Sequence, residues 1–368
     1  MKRVLEVFGE PIAYGGQEAF FFSVLQHMDR DGLRIDVFTP YYCDNEHSRN
    51  MVRQYGGELF EIGLPFEPGK SRTNIYQPLA AHLKENGYDV IHIHSGSISV
   101  LALAALAAKR AKAKKIIVHS HATGTNKTIK YRLTKACMTP FLNDCPTDYC
   151  ACSAEAGEWK FSRKAMKKLI ILKNGIELDR FRYSRETRRF VRENLGIRQD
   201  DFVIGHVGRF SLQKNQEFII ELLSQLKNRI PGIKAVFVGD GETMQAIRDL
   251  VQKKDLADSV RFIGNVGNVQ DYLQAMDVFL FPSRFEGLGI VGVEAQANGM
   301  RVIASTNVPK DLGITSLVEF ISLDDKQKWI NAILQTQNQR RTDVSEQLRA
   351  AGYDVKDTAD EVRNLYRQ

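Results

Sequence analysis

Short apolar runs and helix-forming stretches alternate along this chain of 368 residues, and near residue 200 the alternation starts again. The runs of the first half are VLEVFG, IDVFTP, ELFEIG, DVIHIHS, KIIVHSH, DYCACS and LIILKNG. Those of the second are FVIGHVGR, KAVFVGDG, VRFIGN, VFLFPS, RVIAS and VEFISL. Runs of this kind, apolar without strict alternation, fit parallel strands buried on both faces. Helical stretches at 18–28, 75–86, 97–110 and 153–161 supply the crossovers that parallel strands require. The expected fold class is α/β, with two Rossmann-like parallel-sheet domains facing across a cleft rather than one large sheet. The seam is placed in NGIELDRFRYSRE (174–186), which is polar and short of helix signals until Arg188. This divides the chain into 1–175 and 176–355, with 356–368 left as a final helix.

In such sheets ligands bind beyond the carboxyl ends of the strands, so the loops that follow strands carry the chemistry. The most informative is PSRFEGLGIVGVEAQANG (282–299), with Glu286 and Glu294 eight positions apart. Gly287 and Gly289 let backbone approach a ligand closely. A helix starting at about Leu288 directs its free N–H groups and its positive dipole end at an anion such as a diphosphate. Glu294, in the first two turns of that helix, accepts hydrogen bonds from hydroxyls. Carboxylates beside an anion-binding helix start suit a ligand that is both sugar and phosphate. Val293, Ala295 and Ala297 mark the face packed on a sheet, and Gly299 fits the helix C-cap.

Three further loops share this placement. GHVGRFSLQKN (205–215) sets Arg209 and Lys214 five apart, and two cations at a strand end meet the charge of a departing diphosphate. GEPIAYGGQEAFFFSV carries Gly15, Gly16 and Glu18 at the start of an apolar helix, where a glycine pair makes an anion site. HSHATG (119–124) puts His119 and His121 on one strand face, where imidazole hydrogen-bonds a sugar hydroxyl or serves as acid or base. Other patterns carry less. VGDGETM has Met244 where a dinucleotide fingerprint needs its third glycine. Asp29, Arg30 and Asp31, a formal DxD, sit at a helix end ahead of Gly32 and read as a turn. Cys145, Cys150 and Cys152 lack a paired CxxC knuckle, so no zinc site is expected, and all five cysteines are read as reduced thiols.

Together GGQE, HSHATG, NGI (174–176), GRFSLQKN and the two-glutamate string resemble, in order and spacing, the family-4 retaining glycosyltransferases of the GT-B fold. The likeness covers essentially the whole chain and is closest to bacterial enzymes of capsular and exopolysaccharide synthesis. It implies a nucleotide-sugar donor, a UDP-sugar in this reading, held by the second domain through Glu286, Gly287, Gly289, Ile290, Val291, Glu294, Arg209 and Lys214, with Gly15 and Gly16 contributing from the first. Glu286 would contact the donor sugar, Glu294 the ribose, and backbone of 261–265 the base edge. His121 matches the family's active-site histidine better than His119. Catalytic roles fall to Glu286, His121, Arg209 and Lys214, with no metal and no cofactor, and the stretch 357–366 crosses back to the first domain. The acceptor is a glycan or a polyprenyl-diphosphate-linked sugar. A nucleotide-sugar epimerase of the same architecture is the rival reading, and a non-catalytic nucleotide-sugar or lipid-headgroup binder a weaker one.

Charge narrows the partners. Residues 1–175 hold 24 Lys and Arg against 17 Asp and Glu, whereas 176–368 hold 27 of each, so the net charge of +7 belongs to the first half. Its dense parts are Lys109, Arg110, Lys112, Lys114 and Lys115, then Lys160, Arg163, Lys164, Lys167 and Lys168. A one-sided basic half points to an anionic surface or substrate. No nucleic-acid motif accompanies it. In EWKFSRKAMKK (158–168) a helical wheel groups Trp159, Ser162, Met166 and Leu169 opposite the basic residues, giving either a face for acidic lipid headgroups or an ordinary solvated helix. ISVLALAALAA (98–108) is too short to span a membrane and reads as a buried helix. MKRVLEVFGEPI lacks a signal peptide's apolar core, so the expected location is the cytoplasm, with peripheral contact at the inner membrane face.

Overall fold

Each of the thirteen apolar runs forms a strand. A computed structural model describes residues 1–13, 15–67, 72–122, 128–337 and 339–368. The chain divides into two compact units, Met1–Gly175 with Val355–Gln368, and Ile176–Asp354.

The first unit holds β1 (Lys2–Phe8), β2 (Leu33–Thr39), β3 (Leu59–Glu61), β4 (Val90–Ser95), β5 (Lys115–Ser120), β6 (Asp148–Ala151) and β7 (Leu169–Ile171). They form one parallel sheet in the order β3-β2-β1-β4-β5-β6-β7. The order reverses at β1, so the loops after β1 and β4 flank the switch point. One sheet face presents Leu5, Val7, Ile91, Ile93, Ile116 and Val118 to the alanine-rich helix Ile98–Arg110, which is buried as its composition predicts. The other face receives the helices Gly16–His27 and Val355–Arg367 on Val4, Phe8, Val37 and Ile117. Helices on both faces make the strands apolar throughout. On that second face the alternation also brings inward Glu6, His92, His94 and His119, all fully buried.

The second unit holds β8 (Val203–Val207), β9 (Lys234–Val238), β10 (Val260–Gly264), β11 (Val278–Phe281), β12 (Arg301–Ser305) and β13 (Val318–Ile321). Their order is β10-β9-β8-β11-β12-β13, all parallel, with the reversal between β8 and β11. Two core clusters pad this sheet, one around Phe237, Leu280 and Trp329 and the other around Phe279, Val293 and Leu348. Among the described residues no helix is long and apolar enough to cross a membrane.

Local departures have local causes. The basic helix expected at 158–168 is broken: helix Ala154–Lys160 ends, Phe161 turns extended and buries its ring, and Ser162 caps a new turn by accepting from the Ala165 N–H. Leu169 then enters β7, so the expected single amphipathic face does not form. The 174–186 segment, read as short of helix, contains helix Leu178–Phe181, and Ser184 starts another at Arg185 by accepting from the Thr187 N–H at 3.1 Å. Asp29 accepts from the Asp31 N–H at 3.0 Å, the Asx turn expected of that triplet. All five cysteines are free thiols.

Candidate active site

In the second unit the loops after β8 and β11 are stitched together by polar contacts. Arg284 N–H donates to Gln213 O at 2.8 Å, the Gln213 side-chain amide to Phe285 O at 3.0 Å, and the Asn215 amide to Pro282 O at 3.2 Å. Beneath them His206 joins the two strands through Leu280 O at 2.9 Å. Asn215 adopts a left-handed φ of 59° and starts the helix Gln216–Leu226, which Asn tolerates better than most residues. The outcome is one contact between candidates 72 positions apart: Lys214 Nζ donates to Glu286 Oε1 at 2.6 Å. Both side chains are largely shielded, 17% and 7% exposed, so each charge depends on the other and neither partner is lightly removed.

The helix between the two glutamates begins at Ile290, two residues later than expected, because Gly289 adopts φ 75° and ψ 66° as its cap. A Cβ on Gly289 would sit 2.4 Å from the Phe281 ring, so the glycine lets the cap lie against β11. The first helical N–H groups have no intrahelical partner and remain available to an anion. Glu294 is half-buried one turn inside, and burial raises its carboxyl to about 7, with Arg180 pulling the other way. Helix Ile290–Ala297 ends with Gly299 at φ 72°, the left-handed residue expected after the last turn. Arg209 is mostly exposed and pairs with Glu242 at 3.1 Å, leaving it free to turn toward a ligand. Gly239 and Gly241 have a packing role: their positive φ values, 129° and 154°, let the loop after β9 run against the carbonyls of Gly208 and Phe210.

The other candidates lie in the first unit. Gly15 caps helix Gly16–His27, and Glu18, three residues on, folds back over it as a capping-box carboxylate does. That carboxylate occupies the helix start that the glycine pair was expected to offer an anion. Tyr14, between Ala13 and this pair, lies outside the described residues, as do Thr123 and Gly124 of HSHATG. His119 and His121 share one face, their rings stacked at 4.0 Å, while Ser120 points away and donates to Ala156 O at 2.8 Å. His121, just past β5, is half-buried, and its Nε2 lies 2.8 Å from His94 Nδ1.

Behind His121 is a polar core that motif reading missed. His94 Nε2 meets Glu6 Oε2 at 2.6 Å, the Tyr366 hydroxyl donates to Glu6 Oε1, and His92 Nδ1 lies 2.7 Å from that hydroxyl. Burial raises the Glu6 carboxyl to about 8, although the Tyr366 hydrogen bond works against it, and drives His92 and His121 down to about 3. His94 and His119 fall well below 6.5 for the same reason, reinforced by their neighbours. The available signals were a glutamate interrupting an apolar strand and HIH on its neighbour; nothing local could announce Tyr366. Among the described residues His92, His94 and His119 form the one group with imidazole nitrogens close enough together, within 4.8 Å, to consider a metal. His94 already uses both nitrogens, on Glu6 and His121.

A family model described as Glycosyltransferase Family 4 matches residues 14–180, and one described as Glycosyl transferases group 1 matches 187–312, about four-fifths of the chain between them. EpsF of Bacillus subtilis, named as a glycosyltransferase, is 29% identical over 99% of this chain and 96% of its own. An Escherichia coli enzyme named UDP-Gal:alpha-D-GlcNAc-diphosphoundecaprenol alpha-1,3-galactosyltransferase is 26% identical over 81% of this chain and 79% of its own. Among solved structures, Anabaena HepE in complex with UDP-glucose superposes with a TM-score of 0.76 at 19% identity, covering 99% of both chains, a likeness of fold.

The buried core of the first unit gives a pH signature. Glu6 titrates near 4.5 when ordinary and about 8 when folded, so its contribution to stability falls as pH rises between those values. The histidines, neutral when folded, contribute less as pH drops from 6.5 toward 3. Stability, read as melting temperature, should therefore be highest near neutral pH and decline toward pH 8 and above as Glu6 loses its proton. Glu6→Gln should abolish that decline; an unchanged profile would show that Glu6 does not hold its proton in the fold.

Proposed function

Because this chain belongs to the glycosyltransferases built from Family 4 and group 1 domains, we propose that it transfers a sugar from a UDP-sugar to a glycan or polyprenyl-diphosphate-linked acceptor, with retention of anomeric configuration, in surface polysaccharide synthesis. The observation that carries the reading is the Lys214–Glu286 pair at the strand-order switch of the second unit, beside a helix start with free N–H groups. Glu286 Oε2 and the far side of Lys214 face different parts of one ligand: the carboxylate takes donor-sugar hydroxyls, and the ammonium takes the diphosphate. Arg209 releases Glu242 to add a second cation, and the amides of Gly289, Ile290 and Val291 complete the anion cradle. Glu294 accepts from the ribose hydroxyls, and backbone of 261–265 lies along the base. UDP as the nucleotide is supported by the solved UDP-glucose complex of HepE and by the name of the Escherichia coli relative, whose diphosphoundecaprenol substrate also supports a lipid-linked acceptor.

In the step itself the bond from the anomeric carbon to the β-phosphate oxygen breaks as the acceptor oxygen bonds to that carbon on the same face. The acceptor proton passes to the departing diphosphate, and the negative charge gathering there meets fixed cations and N–H dipoles, which need no reorganisation. In this reading protein cations do the work a metal would otherwise share, and neither metal nor cofactor takes part. A nucleotide-sugar epimerase is not favoured, since both family models and the named relatives are glycosyltransferases.

A lipid-linked acceptor brings the protein to a membrane. Peripheral contact has material in the first unit, where helix Ile129–Asp144 exposes Ile129 and Leu133 beside Lys130 and Arg132. Sedimentation with anionic liposomes should fall as salt rises; binding that ignores salt, or none, would remove the membrane from the account.

Glu286→Gln should lower turnover by about 100-fold or more in a protein that still folds, with a lowered melting temperature, since the amide keeps a hydrogen bond to Lys214 but leaves its charge uncompensated. Full activity in this variant would take Glu286 out of the site. Wild-type turnover in excess EDTA should equal that without it; a loss restored by Mg²⁺ or Mn²⁺ would contradict the metal-free step.

A further inference from the structure

Five polar side chains from four elements form a single hydrogen-bonded line through the first unit, running His92, Tyr366, Glu6, His94 and His121. Burying so many polar groups in a sheet core costs several kcal/mol unless each is paired, and the pairing here is sequential. The direction of each bond follows from the tyrosine. Its hydroxyl donates to Glu6 Oε1 and so accepts from the His92 Nδ1–H. When Glu6 is neutral, its proton therefore sits on Oε2 and is donated to His94 Nε2. His94 then carries its hydrogen on Nδ1 and donates to His121 Nε2, which leaves His121 with its hydrogen on Nδ1. When Glu6 is ionised every bond in that arm reverses, and His121 Nδ1 holds a lone pair. That atom has no protein partner among the described residues.

We propose that Glu6 and His94 are positioning residues that select the tautomer of His121, so that His121 Nδ1 donates a hydrogen bond when Glu6 is protonated and accepts one when it is ionised. The consequence for the reaction rests on the glycosyltransferase reading and on His121 meeting substrate, the role that the family resemblance implies for it. Burial holds the Glu6 proton up to about pH 8, so near neutrality His121 presents an N–H to a sugar oxygen. It therefore orients sugar rather than removing the acceptor proton, in keeping with a leaving diphosphate that takes that proton. The ionisable groups facing Glu6 are His92 and His94 on β4, His119 on β5 and His121 just past it, and Tyr366 on the last helix, with Cys150 of β6 against that tyrosine. Helix Gly16–His27 contributes the rings of Phe20 and Phe21, without charge.

The test is a long-range ¹H–¹⁵N spectrum of the histidines of the full-length protein from pH 6 to 9.5, with His121→Gln used to assign the signal. His121 should pass from the Nδ1–H to the Nε2–H tautomer at about pH 8. In Glu6→Gln it should stay Nδ1–H throughout, because the amide donates to His94 as the neutral acid does. Should that variant fold poorly, Tyr366→Phe serves: without the hydroxyl's bond, ionised Glu6 is less favoured and the transition should move to higher pH. A His121 tautomer that stays constant in wild type, or switches alike in Glu6→Gln, overturns the proposal, as does stoichiometric metal bound to His92, His94 and His119. A switching tautomer with no matching step in the kcat profile would uphold the relay and instead remove His121 from the substrate site.

Discussion

Lys214 and Glu286 hold one another at 2.6 Å across the point where the second sheet reverses its strand order, and the surrounding loops are shaped around that contact. Neither charge is well hydrated there, so each depends on the other, and losing one partner strands the other at a cost of about 3 to 5 kcal/mol. The stitching of the loops by Gln213, Asn215, Arg284 and Phe285 fixes the pair's geometry before any ligand arrives. A site prepared in this way spends little of its binding energy on ordering itself.

The first unit places its polar groups differently. Its candidate histidine is held from behind by a line of buried side chains that ends on the last helix of the chain, at Tyr366. Residues 355–368 thus complete the interior of the first unit, and Val362, Leu365 and Tyr366 pack into the same apolar cluster as Val4 and Phe8. The two units use opposite electrostatic strategies: paired charges in one, and neutral, proton-sharing groups in the other.

Much of the fold was legible. Parallel strands between helices are apolar along their length, so runs such as VFLFPS and KIIVHSH stood out, and Gly299 announced a helix end through backbone chemistry that is local. What escaped was non-local. The wheel drawn over 158–168 failed because burying Phe161 outweighed continuation of the helix, a tertiary effect with no trace in the pattern of charges. The residues Arg209, Lys214, Glu286 and Glu294 were visible as motifs, but not that Lys214 pairs with Glu286 while Arg209 pairs with Glu242. Glu6 was visible only as an interruption of a strand, because its partners His94 and Tyr366 stand 88 and 360 residues away.

In the proposed function the loops after β8 and β11 hold the nucleotide diphosphate. Hydrogen exchange of the full-length protein with and without UDP addresses it directly, since ligand contact and the ordering it brings slow exchange of the amides involved. Protection should concentrate in 208–216 and 284–294, the segments that carry Arg209, Lys214, Glu286 and the helix start at Ile290. Protection confined to other segments, with these two unchanged at saturating UDP, would contradict the account.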